Sequence, residues 1–280
     1  MEHLEVASIA QAITYMEGHL HEKLDLETVA GGVHYSKYHL HRMFTNTLGI
    51  TLHEYIRRRR LTEAAKLLVF SQKPILEIAL MAGYESQQAF TGIFKVMYKQ
   101  TPLQYREQRA FYPLQLELTL HGNPSAPGAM VPHITYVTRE NISTWMGLVA
   151  LVIDGFPCLN EGRHREGLTG YIERREALLM WDRKVAVGGA AFSRQRGSID
   201  FLGVHPQYRL HGIGKALLDF ILCHMPVDRE ISITTFREGD RADTGQREAY
   251  TCLGFAEAEL MTEFGYPVQR LILQPRREFP

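Results

Sequence analysis

Cysteine is scarce in this chain. There are three among 280 residues, Cys158, Cys223 and Cys252, far apart and with no CxxC pair. That spacing argues against a disulfide framework and a zinc site, and it fits a reducing compartment. His39 and His41 lie two apart, so on a helix they point to nearly opposite sides and cannot chelate together. No metal site is expected. Long apolar runs are missing too: none approaches the ~18 residues of a membrane span, and no secretory segment heads the sequence. The expectation is a soluble, cytoplasmic protein without a membrane partner. Net charge is also lacking, with 31 Lys+Arg against 31 Asp+Glu. The balance is slightly uneven: residues 1–110 carry 13 basic against 11 acidic groups, and residues 111–280 carry 18 against 20. Seven of the 13 histidines fall in the first 53 residues, so that half becomes more basic as pH drops toward about 6. The length leaves room for about two domains, each with its own core.

What the chain does contain is a repeat. Tyr35-Ser36-Lys37-Tyr38-His39-Leu40-His41-Arg42-Met43-Phe44 is echoed fifty residues later by Glu85-Ser86-Gln87-Gln88-Ala89-Phe90-Thr91-Gly92-Ile93-Phe94. Val29-Ala30 matches Ile78-Ala79 at an offset of 49, and Thr51 and Tyr55 match Thr101 and Tyr105 at 50. Two copies are too few for a solenoid. Each copy reads as a short apolar-periodic helix, a glycine-bearing turn (Gly31-Gly32, then Gly83) and a second helix capped by Ser36 or Ser86. Asp25 suits the N-cap of the first helix, and Pro74 suits the start of its counterpart. The second helices are expected to bury Leu40, Met43 and Phe44, and Ala89, Ile93 and Phe94. Together these are two helix-turn-helix modules.

Residues three or four apart share a helix face, so Lys37, Tyr38, His41 and Arg42 point away from the Leu40/Phe44 stripe. A cation, an aromatic ring and hydrogen-bonding groups can read base edges in a major groove. The second copy offers Gln87, Gln88 and Thr91, which suit adenine edges and thymine methyls. A helix from about Leu52 to Phe70 joins the modules and contains Arg57-Arg58-Arg59-Arg60. Beside a recognition helix, phosphate contact is the expected role for some of these arginines, Arg57 among them. A stiff connector would let both modules enter successive grooves, about 34 Å apart.

Residues 6–109 resemble the DNA-binding domain of the AraC/XylS transcription regulators. The nearest branch is that of the multiple-antibiotic-resistance and superoxide-response activators. The matching strings are Tyr35 to Phe44, Tyr55-Ile56-Arg57, Pro74-Ile75-Leu76, Gly83 to Gln88, Phe94-Lys95 and Thr101 to Arg106. The resemblance implies a double-stranded DNA partner. It places Tyr38, His41 and Arg42 at the base-contacting positions of one module, and Gln87, Gln88 and Thr91 at those of the other. Gly92 stands where that branch carries an arginine.

From Phe111 to Pro132, four prolines and two glycines mark a linker. Within it, the strict alternation of Leu114 to Leu120 reads as a half-buried strand. Its partner is open: an edge of the next sheet, or another subunit. Residues 133–280 then read as α+β with a mixed sheet, giving an all-α tandem helix-turn-helix domain (1–110), a linker with a short strand (111–132) and an α+β domain. Strands are expected at Ile134–Val137, Ala177–Asp182, Val185–Phe192, Ser198–Val204, Ile231–Phe236, Ala256–Thr262 and Val268–Leu273. Asn141 is expected to cap a helix holding Trp145, Leu148, Val149 and Val152. Further helices are expected over about 212–224 and 244–253.

After the strand ending at Val204, Pro206 blocks further pairing, and Gly212 and Gly214 lead into a helix whose first N–H groups can cradle an anion. The spacing is neither a P-loop nor a dinucleotide fingerprint. Alone it also fits an ordinary strand-to-helix turn. Together with the strand Ser198–Val204 and with Tyr250-Thr251-Cys252-Leu253-Gly254-Phe255, it resembles the GNAT family of acetyl-CoA-dependent N-acetyltransferases, over roughly residues 133–273. The resemblance implies acetyl-CoA as cofactor. Its pyrophosphate would lie on the amides of Leu210, His211, Gly212, Ile213, Gly214 and Lys215, with Arg209 also among the cofactor-binding residues, and its pantetheine arm would lie beside the backbone of Leu202 to Val204. Tyr250 falls at the general-acid position, where a phenol with a pKa of about 10 can hand a proton to a thiolate. Asp200 is a candidate base, direct or through water. Asp243 stands where many members carry an asparagine touching the cofactor. Residues 141–152 and 155–167, with Cys158, Glu161, Arg163 and His164, are expected to line an acceptor pocket for a small amine.

Three functions follow, all including DNA binding: a regulator that senses acetyl-CoA, a bifunctional regulator with an active acetyltransferase, or a regulator whose second domain only dimerises.

Overall fold

A computed structural model describes residues 2–22, 24–120, 133–152, 161–226, 230–263 and 265–274. The described residues form two compact units, one within 2–120 and the other within 133–274. The second half of the expected linker and residues 155–160 of the expected acceptor pocket, Cys158 among them, lie outside the described residues, as do the side chains of Glu161 and Arg163.

The regular elements described in the first unit are helices: α1 (Glu2–Gly18), α2 (Leu26–Gly32), α3 (Lys37–Leu48), α4 (Leu52–Phe70), α5 (Ile75–Met81), α6 (Gln87–Tyr98) and α7 (Pro102–Gln108). The repeat extends to its capping chemistry. Ser36 and Ser86 accept from the amides of His39 and Ala89, and Thr51 and Thr101 from those of Glu54 and Gln104. Each cap satisfies a helix-end donor that would otherwise have no partner. Asp25 caps α2 in the same way, through Thr28.

The turns differ from expectation in one respect. Gly31 and Gly32 finish α2, and the left-handed residue of the first turn is His34 (φ 60), opposite Gly83 (φ 80) in the second. Both turns close with the same bonds, Tyr35 N–H to Ala30 O and Tyr84 N–H to Ala79 O. Gly32 has a different reason for lacking a side chain: a Cβ there would lie 2.5 Å from the Tyr15 ring of α1.

The buried face of α3 is Leu40, Met43 and Phe44, as expected. On α6 the expectation is corrected: Ala89 is exposed, and Phe90, four residues after its cap as Leu40 is after Ser36, is buried with Phe94. Helix α1 adds Ile9, Ala12, Ile13 and Met16 to the core, all buried and set at helical spacing.

One reading of the connector region is overturned and another is narrowed. Leu114–Leu120 forms no strand and pairs with no sheet. It lies on α4, where the amides of Leu114 and Gln115 both donate to Thr62 Oγ1, at 3.0 and 3.1 Å. The alternation reflects one side of an extended segment meeting a helix, a pattern that sequence cannot tell from a strand edge. Within the arginine run, Arg58 and Arg59 turn inward. Arg58 is 0% exposed and donates to Leu114 O at 3.0 Å. Arg59, 7% exposed, pairs with Glu17 at 2.8 Å and donates to Gln115 O at 3.2 Å, and Arg60 binds Leu20 O and Glu22 O.

The second unit contains a seven-stranded sheet in the order β1-β2-β3-β4-β5-β7-β6. The strands are β1 (His133–Tyr136), β2 (Ala177–Asp182), β3 (Val185–Ser193), β4 (Ser198–Val204), β5 (Ile231–Phe236), β6 (Ala256–Glu263) and β7 (Tyr266–Leu273). All ladders are antiparallel except β4–β5, so the sheet is mixed, as expected. The helices are α8 (Ile142–Val152), α9 (Glu161–Arg174), α10 (Ile213–Leu222) and α11 (Gln246–Cys252). Asn141 does not cap α8. It ends a 3-10 turn, and its side-chain carbonyl accepts from the amide and hydroxyl of Thr138.

Neighbouring glycines of β3 admit a helix on each face. A Cβ at Gly188 would lie 2.4 Å from Ile213 of α10, and one at Gly189 would lie 3.2 Å from Trp145 and Leu148 of α8. On β4, a Cβ at Gly203 would likewise meet Val152, at 2.5 Å. The backbone approaches that close the core therefore depend on side chains being absent at these points.

Candidate functional site

On the first unit, the outward face of α3 carries Tyr38 (79% exposed), His41 and Arg42, all exposed. Lys37 is half-buried, 3.7 Å from Glu27, with its ammonium 5.7 Å from the Tyr38 ring centroid. On α6, Gln87 and Gln88 are exposed and Thr91 half-buried. Nothing lies within 4 Å of a Cβ built at Gly92, so the face is open where a longer side chain would project. Arg57 is half-buried, with its guanidinium on Glu54. Five of the expected contacts thus share two helix surfaces that no described residue covers.

On the second unit, β4 and β5 run side by side for only two residue pairs, Ser198↔Ser232 and Ile199↔Ile233. Beyond these, β4 continues to Val204 and β5 to Phe236 with no pairing between them. Parting parallel strands leave edge donors and acceptors of β4, from Leu202 to Val204, facing an opening. Helix α10 starts just past the end of β4. Its N-cap is Gly212, left-handed at φ 72, and no side chain caps it. Its first N–H groups and the positive end of its dipole are therefore available to an anion.

The loop leading there is anchored by residues that sequence reading passed over. His205 Nδ1 accepts from the Gln207 amide at 3.3 Å, and the buried Tyr208 hydroxyl donates to Asp182 at 3.2 Å. Burial, then the Asp182 charge, pushes the Tyr208 phenol up to about 12. Leu210 is exposed, Arg209 and His211 are half-buried, and the Lys215 ammonium donates to Asp219 at 2.7 Å.

Gly212 and Gly214 differ in what they supply. Gly212 needs its positive φ. A Cβ at Gly214 would meet only ordinary contacts, Val204 at 3.8 Å and Leu253 at 3.9 Å. Packing does not require glycine at that helical position, where it costs about 0.5–1 kcal/mol relative to alanine.

Tyr250, from α11, is buried; its hydroxyl donates to Leu202 O at 3.0 Å and accepts from Gln246 Nε2 at 2.9 Å. It therefore sits on β4 at the opening. Asp200 is the extra residue of a β-bulge, where Ala191 faces Phe201 but Phe192 faces Ile199. Its carboxylate accepts from Tyr171 (2.7 Å), Arg196 (2.5 Å) and Ser198 (2.9 Å). Burial, then this carboxylate, raises the Tyr171 phenol to about 12. Asp200 and Tyr250 are brought to the same strand but held by different partners. Asp243 turns its carboxylate to the amides of Gly245 and Gln246, at 3.0 and 2.8 Å, and so caps α11.

Trp145 donates from its indole N–H to His164 Nε2 at 3.2 Å. That bond fixes the neutral tautomer, and burial pushes the His164 pKa down. Among the described residues no group of three or more His, Cys, Asp or Glu side chains could hold a metal ion, and no helix is long and apolar enough to cross a membrane.

Residues 29–108 match the helix-turn-helix domain model, and residues 173–257 match the acetyltransferase (GNAT) domain model. The chain is similar to transcriptional regulator Rob of Salmonella typhimurium, 27% identical over 94% of this chain and 98% of that protein. It is 45% identical to the right origin-binding protein of Escherichia coli K12 over 35% of this chain, spanning only 34% of that relative. Regulatory protein SoxS of Escherichia coli K12 is 38% identical over 39% of this chain and 99% of its own length. With two capped helix-turn-helix modules in its first unit and the parted β4/β5 sheet in its second, the chain belongs to the AraC-type DNA-binding transcription regulators and carries a GNAT acetyltransferase-type domain as its second unit.

Proposed function

We propose that the second unit binds acetyl-CoA as a sensor and that occupancy changes how the first unit binds DNA. The observation that carries this reading is the opening between β4 and β5 in front of the uncapped start of α10, with a glycine at 214 that the packing does not demand. In this reading amides between Leu210 and Lys215 hold the pyrophosphate, apart from that of His211, which donates to Tyr208 O, and the backbone of Leu202 to Val204 lies along the pantetheine arm. Acetyl-CoA would supply an activated acyl group to whatever the site admits. A sensor rather than an enzyme is favoured by Asp200, whose three donors leave its carboxylate poorly placed to take a proton from an amine.

Gly214→Ala tests the cofactor half, because its two effects have opposite signs. The variant should be more stable by about 0.5–1 kcal/mol, as expected of a helix position. Its affinity for acetyl-CoA should nevertheless fall, because a methyl group enters the cradle. Calorimetric titration beside a thermal melt reads both; unchanged affinity would remove the carrying observation.

An active N-acetyltransferase is the second reading, and the placement of Tyr250 at the opening favours it. Incubation with acetyl-CoA and a panel of small amines, followed by free thiol, separates the two. Thiol release that disappears in Tyr250→Phe supports the enzyme, and binding without release supports the sensor. If acetyl-CoA does not bind, a dimerising second domain is left.

For the DNA half, Tyr38, His41, Arg42, Gln87 and Gln88 are proposed to meet base edges. Arg42→Ala should weaken binding to a selected duplex relative to a random one by about 1–3 kcal/mol. Fluorescence anisotropy on both duplexes checks it, and equal loss on both would contradict base reading.

A further inference from the structure

The helix-turn-helix model ends at residue 108, yet the chain that follows is built into the first unit rather than leaving it. Tyr112 joins the aromatic cluster, with ring centroids 5.1 Å from Tyr98 and 5.6 Å from Tyr105. The Tyr105 hydroxyl bonds both the amide (2.9 Å) and the carbonyl (3.1 Å) of Tyr112. Thr62 takes the Leu114 and Gln115 amides, and Arg58 and Arg59 donate to the carbonyls of the same two residues. The Leu118 amide reaches the Tyr55 hydroxyl, which itself donates to Glu17 of α1 at 2.7 Å. One extended segment thus engages α4 at Tyr55, Arg58, Arg59 and Thr62, and α7 at Tyr105.

Three features suggest that this is more than a tail. It docks on the helix that joins the two modules. Its hold combines the burial of Tyr112, Leu114 and Leu118 with hydrogen bonds at a fixed register, so it seats or unseats as a unit. And it supplies acceptors to two buried guanidinium groups, so unseating it leaves charges on α4 short of partners. The chain then runs on into the second unit.

We propose that residues 111–118 are a strap whose seating on α4 sets the protein's affinity for its specific DNA site, and that release of the strap is how events in the second unit reach the DNA-reading helices. Seated, the strap holds α4 at the position that spaces α3 and α6. Unseated, α4 loses that restraint and the two faces no longer present a fixed spacing. The link to the second unit rests on the acetyl-CoA reading above; the effect of seating on DNA affinity does not.

The test uses the full chain with two variants, Thr62→Val, which removes the shared acceptor, and Leu118→Ala, which weakens the far end. Amide exchange by mass spectrometry over residues 112–118 reports seating. Affinity is measured for the duplex that the wild-type chain selects from a random pool, and for a random duplex. Faster exchange in the strap with about tenfold weaker selected binding, and little change on random DNA, is expected; tenfold is ordinary for coupling between sites. Faster exchange with unchanged selected affinity would overturn the proposal, and so would equal loss on both duplexes. If Thr62→Val does not fold, Leu118→Ala decides. In a second arm, acetyl-CoA that binds by calorimetry should alter strap exchange. Binding without such a change refutes the link between units, whereas absence of binding refutes the sensor reading and leaves the strap to be judged on the two variants.

Discussion

Arg59→Met should destabilise the first unit by about 3–5 kcal/mol, the usual cost of removing one partner of a buried ion pair. Domains are stable by only about 5–15 kcal/mol, so much of the variant would be unfolded on warming. Glu17 is the reason. Its carboxylate, 12% exposed, takes both Arg59 and the Tyr55 hydroxyl, and without the guanidinium it is left buried beside a single phenol. Burial alone would lower the Arg59 pKa, but the hydrogen bonds and charge of Glu17 raise it, so the group stays charged at any ordinary pH. Burial, then the Glu17 charge, raises the Tyr55 phenol in turn. Thermal melts followed by circular dichroism should show a large drop in the transition of the helical unit. The double variant Arg59→Met, Glu17→Leu should recover part of it, because no unpaired charge remains. A melt unchanged in Arg59→Met, with DNA affinity lost instead, would restore Arg59 to a phosphate-binding role.

Gly188→Val should cost about 1–3 kcal/mol or more through overpacking, and should weaken acetyl-CoA binding as well. A Cβ there would already lie 2.4 Å from Ile213 Cγ2 and 3.0 Å from Leu217 Cδ1, before the valine methyls are added. Ile213 is the first residue of α10, so relief of the clash moves the N–H groups proposed to hold the pyrophosphate. Gly214→Ala makes the contrast, since it should lower affinity while raising stability. Calorimetric melts and titrations on the two variants distinguish a glycine the fold requires from one the ligand requires. Normal affinity in Gly188→Val would mean that α10 does not carry the site.

Much of the architecture was legible because it rests on local patterns. The offset of the two modules, the serine caps and the strands of the second unit follow from spacing and capping residues that neighbouring backbone reads directly. The errors share one cause. Ala89 and Phe90 are adjacent, and only the packing of α6 decides which is turned inward. Asn141 has a capping side chain, but the 3-10 turn before α8 gives the cap to Thr138 and uses Asn141 as its partner. Four arginines in a row look solvated until the partners of three of them come from residues 17–22 and 114–115.

The residues themselves determined that this chain holds two polar helix faces joined by a long helix, and a strand–glycine–helix turn able to meet an anion. Tertiary structure decided which groups are free to act. It drew Arg58 and Arg59 inward, tied the half-buried Arg60 to backbone carbonyls, set Leu114 and Leu118 on α4 instead of in a sheet, and fastened Asp200 to three donors. The physical reason is that helical periodicity and end-capping are settled within a few residues of chain, whereas the state of a charge or an extended segment depends on which distant groups remove it from water.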